Sequence, residues 1–129
     1  MPNLFLLFSH KLTDDQIQDA RQTLKVAEII PLPEPLQAQW SNVPPEIESV
    51  REYLRPILDW LRVQARADDY VLVQGDFGAV YLAVNFALQH HLTPVYATTE
   101  RKALETSLQG GTIQTQRIFR HVRYRRYEG

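Results

Sequence analysis

The sequence predicts an α/β fold: a Rossmann-like, mostly parallel sheet with helices on both faces and an antiparallel β-hairpin at the C-terminus. Three observations predict it. Apolar runs of strand length at Leu4–Phe8, Val26–Leu32, Tyr70–Val73 and Pro94–Ala97 alternate with longer segments of helical periodicity. The first run is apolar on both faces, as a central parallel strand is. Gly110-Gly111 lies between two later runs of strand character and supplies a hairpin turn.

A chain of 129 residues suits a single domain, 1–129, with a real core. At 44% hydrophobic and 22% charged it reads as ordered rather than disordered. The absence of cysteine excludes disulfides, thiolate metal sites and cysteine nucleophiles together. Leu4–Phe8 is too short and lacks the basic leader of a signal peptide, and no run reaches membrane-spanning length. A cytoplasmic protein with no membrane partner is therefore expected. The net charge of −1 conceals a polarity: residues 1–69 hold 11 acids and 7 Lys/Arg, residues 70–129 hold 4 acids and 7 Lys/Arg. The second half is thus suited to face an anion.

Ser9-His10 closes the first strand, and Thr13-Asp14-Asp15-Gln16 then has the spacing of a capping box. Ile17, Ala20 and Leu24 make the apolar stripe of the following helix. Pro31, Pro33 and Pro35 stop the second strand. Leu36–Pro45 reads as a polar and aromatic connection, and Pro44-Pro45 as the start of a helix carrying Ile47, Val50, Leu54 and Leu61. Pro56 predicts a kink or break in it. The helix from Phe77 to about His90 is apolar on every side, so one face needs a partner beyond the sheet. A second subunit fills that need most simply, with burial under the C-terminal segment as the alternative. The fourth strand is expected to end at Thr98-Thr99, before Glu100-Arg101-Lys102.

The chain's pivot is Val71-Leu72-Val73-Gln74-Gly75-Asp76-Phe77-Gly78-Ala79. A strand that ends in a glycine turn opening a helix presents free N–H groups and a positive dipole end, which suits phosphate. Gly75 and Gly78 read as positions for positive φ or for close ligand approach. Neither the dinucleotide nor the P-loop fingerprint is present. In a parallel sheet, functional groups gather at strand carboxyl ends. Ser9-His10, Trp40-Ser41-Asn42, Gln74–Gly78 and Thr98–Lys102 would converge there.

Leu7-Phe8-Ser9-His10-Lys11-Leu12-Thr13, Trp40-Ser41-Asn42-Val43-Pro44-Pro45-Glu46, Asp69 through Ala79, Tyr96-Ala97-Thr98-Thr99 and Phe119-Arg120-His121-Val122-Arg123-Tyr124 together carry a resemblance. The chain resembles a small CRISPR-associated ancillary family, numbered twenty in the Csx series and found beside type III systems. These proteins are similar in architecture to the CARF sensors, Rossmann-like domains that dimerise around cyclic oligoadenylates. The resemblance implies a homodimeric ring nuclease that cuts cyclic tetra-adenylate and switches off the antiviral signal. It does not itself assign catalytic residues. Cleavage by the ribose 2′-hydroxyl requires no metal, no cofactor is expected, and no His/carboxylate cluster has metal-ligand spacing.

On chemical grounds His10 is the candidate acid or base, because imidazole titrates near neutrality. Ser9 would orient the 2′-hydroxyl or hold phosphate, and Arg101 would neutralise the transition state. Gln74, Gly75, Phe77 and Gly78 form the candidate phosphate cradle, joined by Thr98, Thr99 and Lys102. Asp76 either binds ribose or adenine groups or caps the helix. Trp40 either stacks on adenine or sits in the core. Asn42 offers a base-edge contact or closes a turn. Two rival functions remain: a non-catalytic cyclic-oligoadenylate sensor or sponge, and an RNA-binding module using Arg117–Arg126, where five arginines and His121 interleave with Phe119 and Tyr124. No DNA partner is expected.

Overall fold

A computed structural model describes Met1–Gly129. The chain runs through β1 (Leu4–Leu7), α1 (Asp14–Gln22), β2 (Ile29–Pro31), α2 (Glu34–Ser41), α3 (Arg51–Gln64), β3 (Tyr70–Val73), α4 (Phe77–Gln89), β4 (Thr93–Ser107) and β5 (Ile113–Arg126). One five-stranded sheet takes the order β2-β1-β3-β4-β5. The first four strands are parallel, and β5 pairs antiparallel with β4. The fold class is therefore α/β with a mixed, mostly parallel sheet.

Side-chain alternation in β1 explains why its run is apolar throughout. Leu4 and Leu6 pack with Ala20 of α1, Leu72, Val95 and Tyr124 on one face. Phe5 and Leu7 pack on the other with Trp40, with Leu54, Ile57 and Leu61 of α3, and with Ala79, Ala83 and Ala87 of α4. Both faces are covered, so neither can be polar. α1 begins as its sequence predicts: Thr13 accepts from Gln16 N, and Gln16 Oε1 accepts from Thr13 N.

Several boundaries differ from the expectation, each for a local reason. The supposed connection at Leu36–Pro45 begins with α2, because Pro35 occupies the first turn, where a helix needs no amide. Pro44-Pro45 does not start the next helix. A proline holds its predecessor extended, and α3 begins only after Val50. Pro56 does not break α3. The bond it removes is the one to Glu52 O, and both residues are exposed, so water can satisfy that carbonyl. β2 is only three residues long.

β4 does not end at Thr98-Thr99. It continues to Ser107 and forms one arm of a long hairpin with β5. A register shift opposite Thr98/Thr99 leaves Val122 without a partner, and such a bulge increases the local twist. Gly110 (φ +93°) and Gly111 (φ +81°) form the turn, as expected. Residues 99–120 are all exposed. In α4, Ala79, Ala83 and Ala87 make the buried stripe, whereas Phe77 is 94% and Tyr81 69% exposed. No helix is long and apolar enough to cross a membrane.

Candidate functional site

The chain leaves β1 for β2 on one side and β3 for β4 on the other, so the topological switch point lies between the carboxyl ends of β1 and β3. The molecule's own side chains fill this crevice. Gln37 Nε2 donates to Phe8 O, and Trp40 Nε1 donates to Gln74 O at 3.0 Å. The β3–β4 ladder ends at Leu72 and Val95. Beyond it, Gln74 Oε1 accepts from Ala97 N at 2.7 Å, and Tyr127 OH donates to Val73 O at 2.6 Å. Backbone groups freed where the strands diverge are thus satisfied internally. The crevice between the strand ends is thus occupied by Gln37, Trp40, Gln74 and Tyr127 themselves.

Trp40 is 2% exposed, so its ring offers no face for a base. This corrects the stacking role. It also explains Gly75, which is not at positive φ: a Cβ there would fall 3.0 Å from Trp40 Nε1. The glycine admits the indole, not a ligand. Gly78 is likewise not at positive φ, and a Cβ there would make only ordinary contacts. Asp76 caps α4, its Oδ2 accepting from Ala79 N at 3.0 Å and its carbonyl from Val80 N. The first-turn amides left without these partners are those of Phe77 and Gly78. Asn42 is the C-cap of α2, its Nδ2 donating to Ala38 O at 2.8 Å, which accounts for it as a helix end rather than a base reader.

Ser9 and His10 are exposed on the β1 end and line a cavity of about 680 Å³ with Lys11, Arg21 and Gln37. His10 lies edge-on to Phe8, ring centroids 5.5 Å apart. Ser9 follows β1 and Gly75 follows β3 on paired strands in the register Leu7↔Val73, so the two ends are adjacent. Ser9-His10 and Gln74–Gly78 follow neighbouring strands, but the cavity that holds Ser9 and His10 is lined from β1, α1, β2 and α2 and includes none of Gln74–Gly78. Arg101 and Lys102 are carried away from these residues, because both belong to the continuous hairpin. Arg101 lies over the Phe119 ring at 5.2 Å, outside the cavity that holds His10. Thr98 Oγ1 donates to Arg123 O at 2.9 Å, which binds it to the bulge. Thr99 and Lys102 line a different cavity, between α1 and the hairpin. No group of three or more His, Asp or Glu side chains is placed to hold a metal ion.

Sequence reasoning missed a second polar cluster. His121 Nε2 lies 2.8 Å from Asp19 Oδ2, the two residues being 102 apart in sequence. Thr23 Oγ1 donates to Asp19 Oδ1 at 2.6 Å, and Tyr124 OH donates to Gln16 O at 2.9 Å. Together they fasten the hairpin base to α1. Burial pushes the Asp19 carboxyl up. Hydrogen bonds from Thr23 and His121, with the charges of His121 and Arg123, outweigh that and hold it below its ordinary value. Burial, with the nearby Asp19 charge, pushes the Tyr124 phenol up. A carboxyl group lowered in the folded state adds stability above its unfolded pKa and loses it as pH falls through the folded value. Asp19→Asn should therefore lower the urea midpoint at neutral pH and flatten the acid limb of the stability profile below about pH 4. An unchanged acid limb would remove Asp19 from this role.

The model of the family described as "Uncharacterized protein MJ1673 family" matches residues 2–125. A protein of Methanocaldococcus jannaschii, "Uncharacterized protein MJ1673", is 54% identical over 127 residues, covering 98% of each chain. The chain belongs to that family. No solved structure matches the chain.

Proposed function

We propose that this MJ1673-family chain is a Rossmann-like ring nuclease that binds and cleaves cyclic tetra-adenylate as a homodimer, ending a type III CRISPR signal. The observation that carries this reading is that Ser9-His10 and the α4 N-terminus follow the neighbouring parallel strands β1 and β3. The exposed aromatic required to meet adenine is Phe77, 94% accessible at the start of α4, and not Trp40. Phe77 and Tyr81 are one helical turn apart on the open side of α4, where a two-fold partner would also sit. A ligand with rotational symmetry suits such a dimer.

In the proposed reaction the ribose 2′-oxygen attacks the adjacent phosphorus, and the bond to the 5′-oxygen breaks. A 2′,3′-cyclic phosphate and a 5′-hydroxyl result. His10 takes the 2′-hydroxyl proton and later releases it to solvent, Ser9 orients that hydroxyl, and solvent water protonates the leaving 5′-oxygen. The Phe77 and Gly78 amides face the phosphoryl oxygens, where charge accumulates. Asp76, as the cap, keeps these amides pointing outward.

Incubation of the protein with cyclic tetra-adenylate and EDTA, followed by chromatography, tests the reading. Linear di-adenylate ending in cyclic phosphate is the expected product. An intact ring that co-elutes with the protein would make it a sensor or sponge. An intact ring that stays free would move first place to RNA binding by the hairpin. That second reading has its own observation: Arg117, Arg120, Arg123, Arg125 and Arg126 lie with Phe119 on an exposed ribbon.

A further inference from the structure

The cavity that holds Ser9 and His10 encloses about 680 Å³, a size that suits a small ligand. Its apolar lining comes from Leu6 and Phe8 at the end of β1, Leu12, Ile17 of α1 and Ile29 of β2. Leu6 belongs to the core on the α1 face of the sheet, and Phe8, Leu12 and Ile29 pack against that core. Two cations line the same cavity. Lys11 follows His10, and Arg21 stands one helical turn beyond Ile17 on the same side of α1. Both are exposed, and neither forms an ion pair. No Asp or Glu lines the cavity. Positive charge without a counter-charge beside an apolar floor suits a ligand with a flat apolar body and an anionic group. With Arg101 and Lys102 elsewhere, Lys11 and Arg21 are the cations that a ligand at His10 would meet.

We propose that this cavity is the recognition subsite for one nucleotide of the ring, the one whose 2′-hydroxyl meets His10. The inference rests on the ring-nuclease reading. The adenine of that nucleotide lies on Phe8, Leu12 and Ile29, and Phe77 is left to another adenine of the ring. Arg21 and Lys11 hold the 5′-phosphate of the nucleotide, the guanidinium by paired N–H bonds and the ammonium as a point charge. The 3′-phosphate, which is attacked, falls to the α4 amides outside the cavity. The 5′-phosphate gains no charge as the reaction proceeds, so Arg21 and Lys11 hold substrate and transition state alike. Arg21 is therefore a binding residue, and His10 moves the proton.

The test is the kinetics of Arg21→Ala on cyclic tetra-adenylate. KM should rise about tenfold or more while kcat stays within about twofold, and Arg21→Lys should recover part of the loss. Arg21 also stands in the last turn of α1, where a cation complements the helix dipole. A purely structural role there would lower the unfolding midpoint and leave KM in place. Separately, a 2′-deoxy ring, which lacks the attacking hydroxyl and stays intact, should move the methyl signals of Ile17 and Ile29. The signal of Ile57, in the other core, should stay. An unaltered KM in Arg21→Ala, or unmoved Ile17 and Ile29 signals with the ring bound, would overturn the subsite and leave the ring-nuclease reading standing. A loss in kcat alone would put Arg21 at the attacked phosphate and overturn the subsite as well. A wild-type protein that neither binds nor cuts the ring would remove the reading and the subsite with it.

Discussion

His10→Ala is expected to slow cleavage of cyclic tetra-adenylate by about 10²–10⁴-fold, the usual contribution of one positioned acid–base group. The side chain is exposed, its ring lies edge-on to Phe8, and it lines the 680 Å³ cavity beside Ser9. Its removal should leave the fold intact, so the loss reports chemistry rather than unfolding. Ring affinity, measured without turnover, should change little, because the proposed reading gives phosphate to the α4 amides and adenine to Phe77. The decisive comparison is the split between turnover and affinity. Equal loss in both would make His10 a binding group, and undiminished turnover would move the acid–base role to another residue. A His10→Gln variant, which keeps hydrogen bonding but cannot exchange a proton near neutrality, should resemble alanine in turnover.

Trp40→Ala is expected to destabilise the protein by about 3–5 kcal/mol, measured by urea unfolding. Two contributions combine. The indole is 2% exposed in the larger of the two cores, so its removal leaves a cavity beside α3 and α4. Its N–H also satisfies Gln74 O at the strand end. Trp40→Phe separates the two, because it retains an apolar ring and loses the donor; about 1 kcal/mol of the total should then remain as the hydrogen-bond loss. Gly75→Ala should be destabilising for the reciprocal reason, since its Cβ would meet the indole at 3.0 Å. If Trp40→Ala cost less than about 1 kcal/mol while abolishing ring binding, the residue would be a ligand platform after all.

Much of this architecture is legible in one dimension. Apolar runs without alternation mean strands covered on both faces, and Leu4–Leu7 with Tyr70–Val73 form such strands at the sheet's centre. The capping box at Thr13 and the glycine turn at Gly110-Gly111 depend on neighbours within a few residues, so their chemistry is complete in the sequence. The position of Ser9-His10 at a strand end follows from the same local logic. Proline is where pattern and structure differ most. Its effect depends on whether its missing amide is needed, and this differs between Pro35 in a first turn and Pro56 on a solvated face.

Only the tertiary structure decided what the polar and aromatic residues do. Trp40 and Gly75 explain each other, but they lie on different elements and meet through packing. Thr98 and Thr99 read as a strand end, yet pairing with β5 provides the ladder that carries β4 on to Ser107. Asp19 sits in an amphipathic helix and His121 among arginines, and neither context marks it as a partner. They form an ion-pair geometry across 102 residues because the hairpin base twists onto α1. Local sequence determines the elements, since helices and strands satisfy their own backbones at short range. The assignment of side chains to core, latch or site depends on which surfaces those elements bury together.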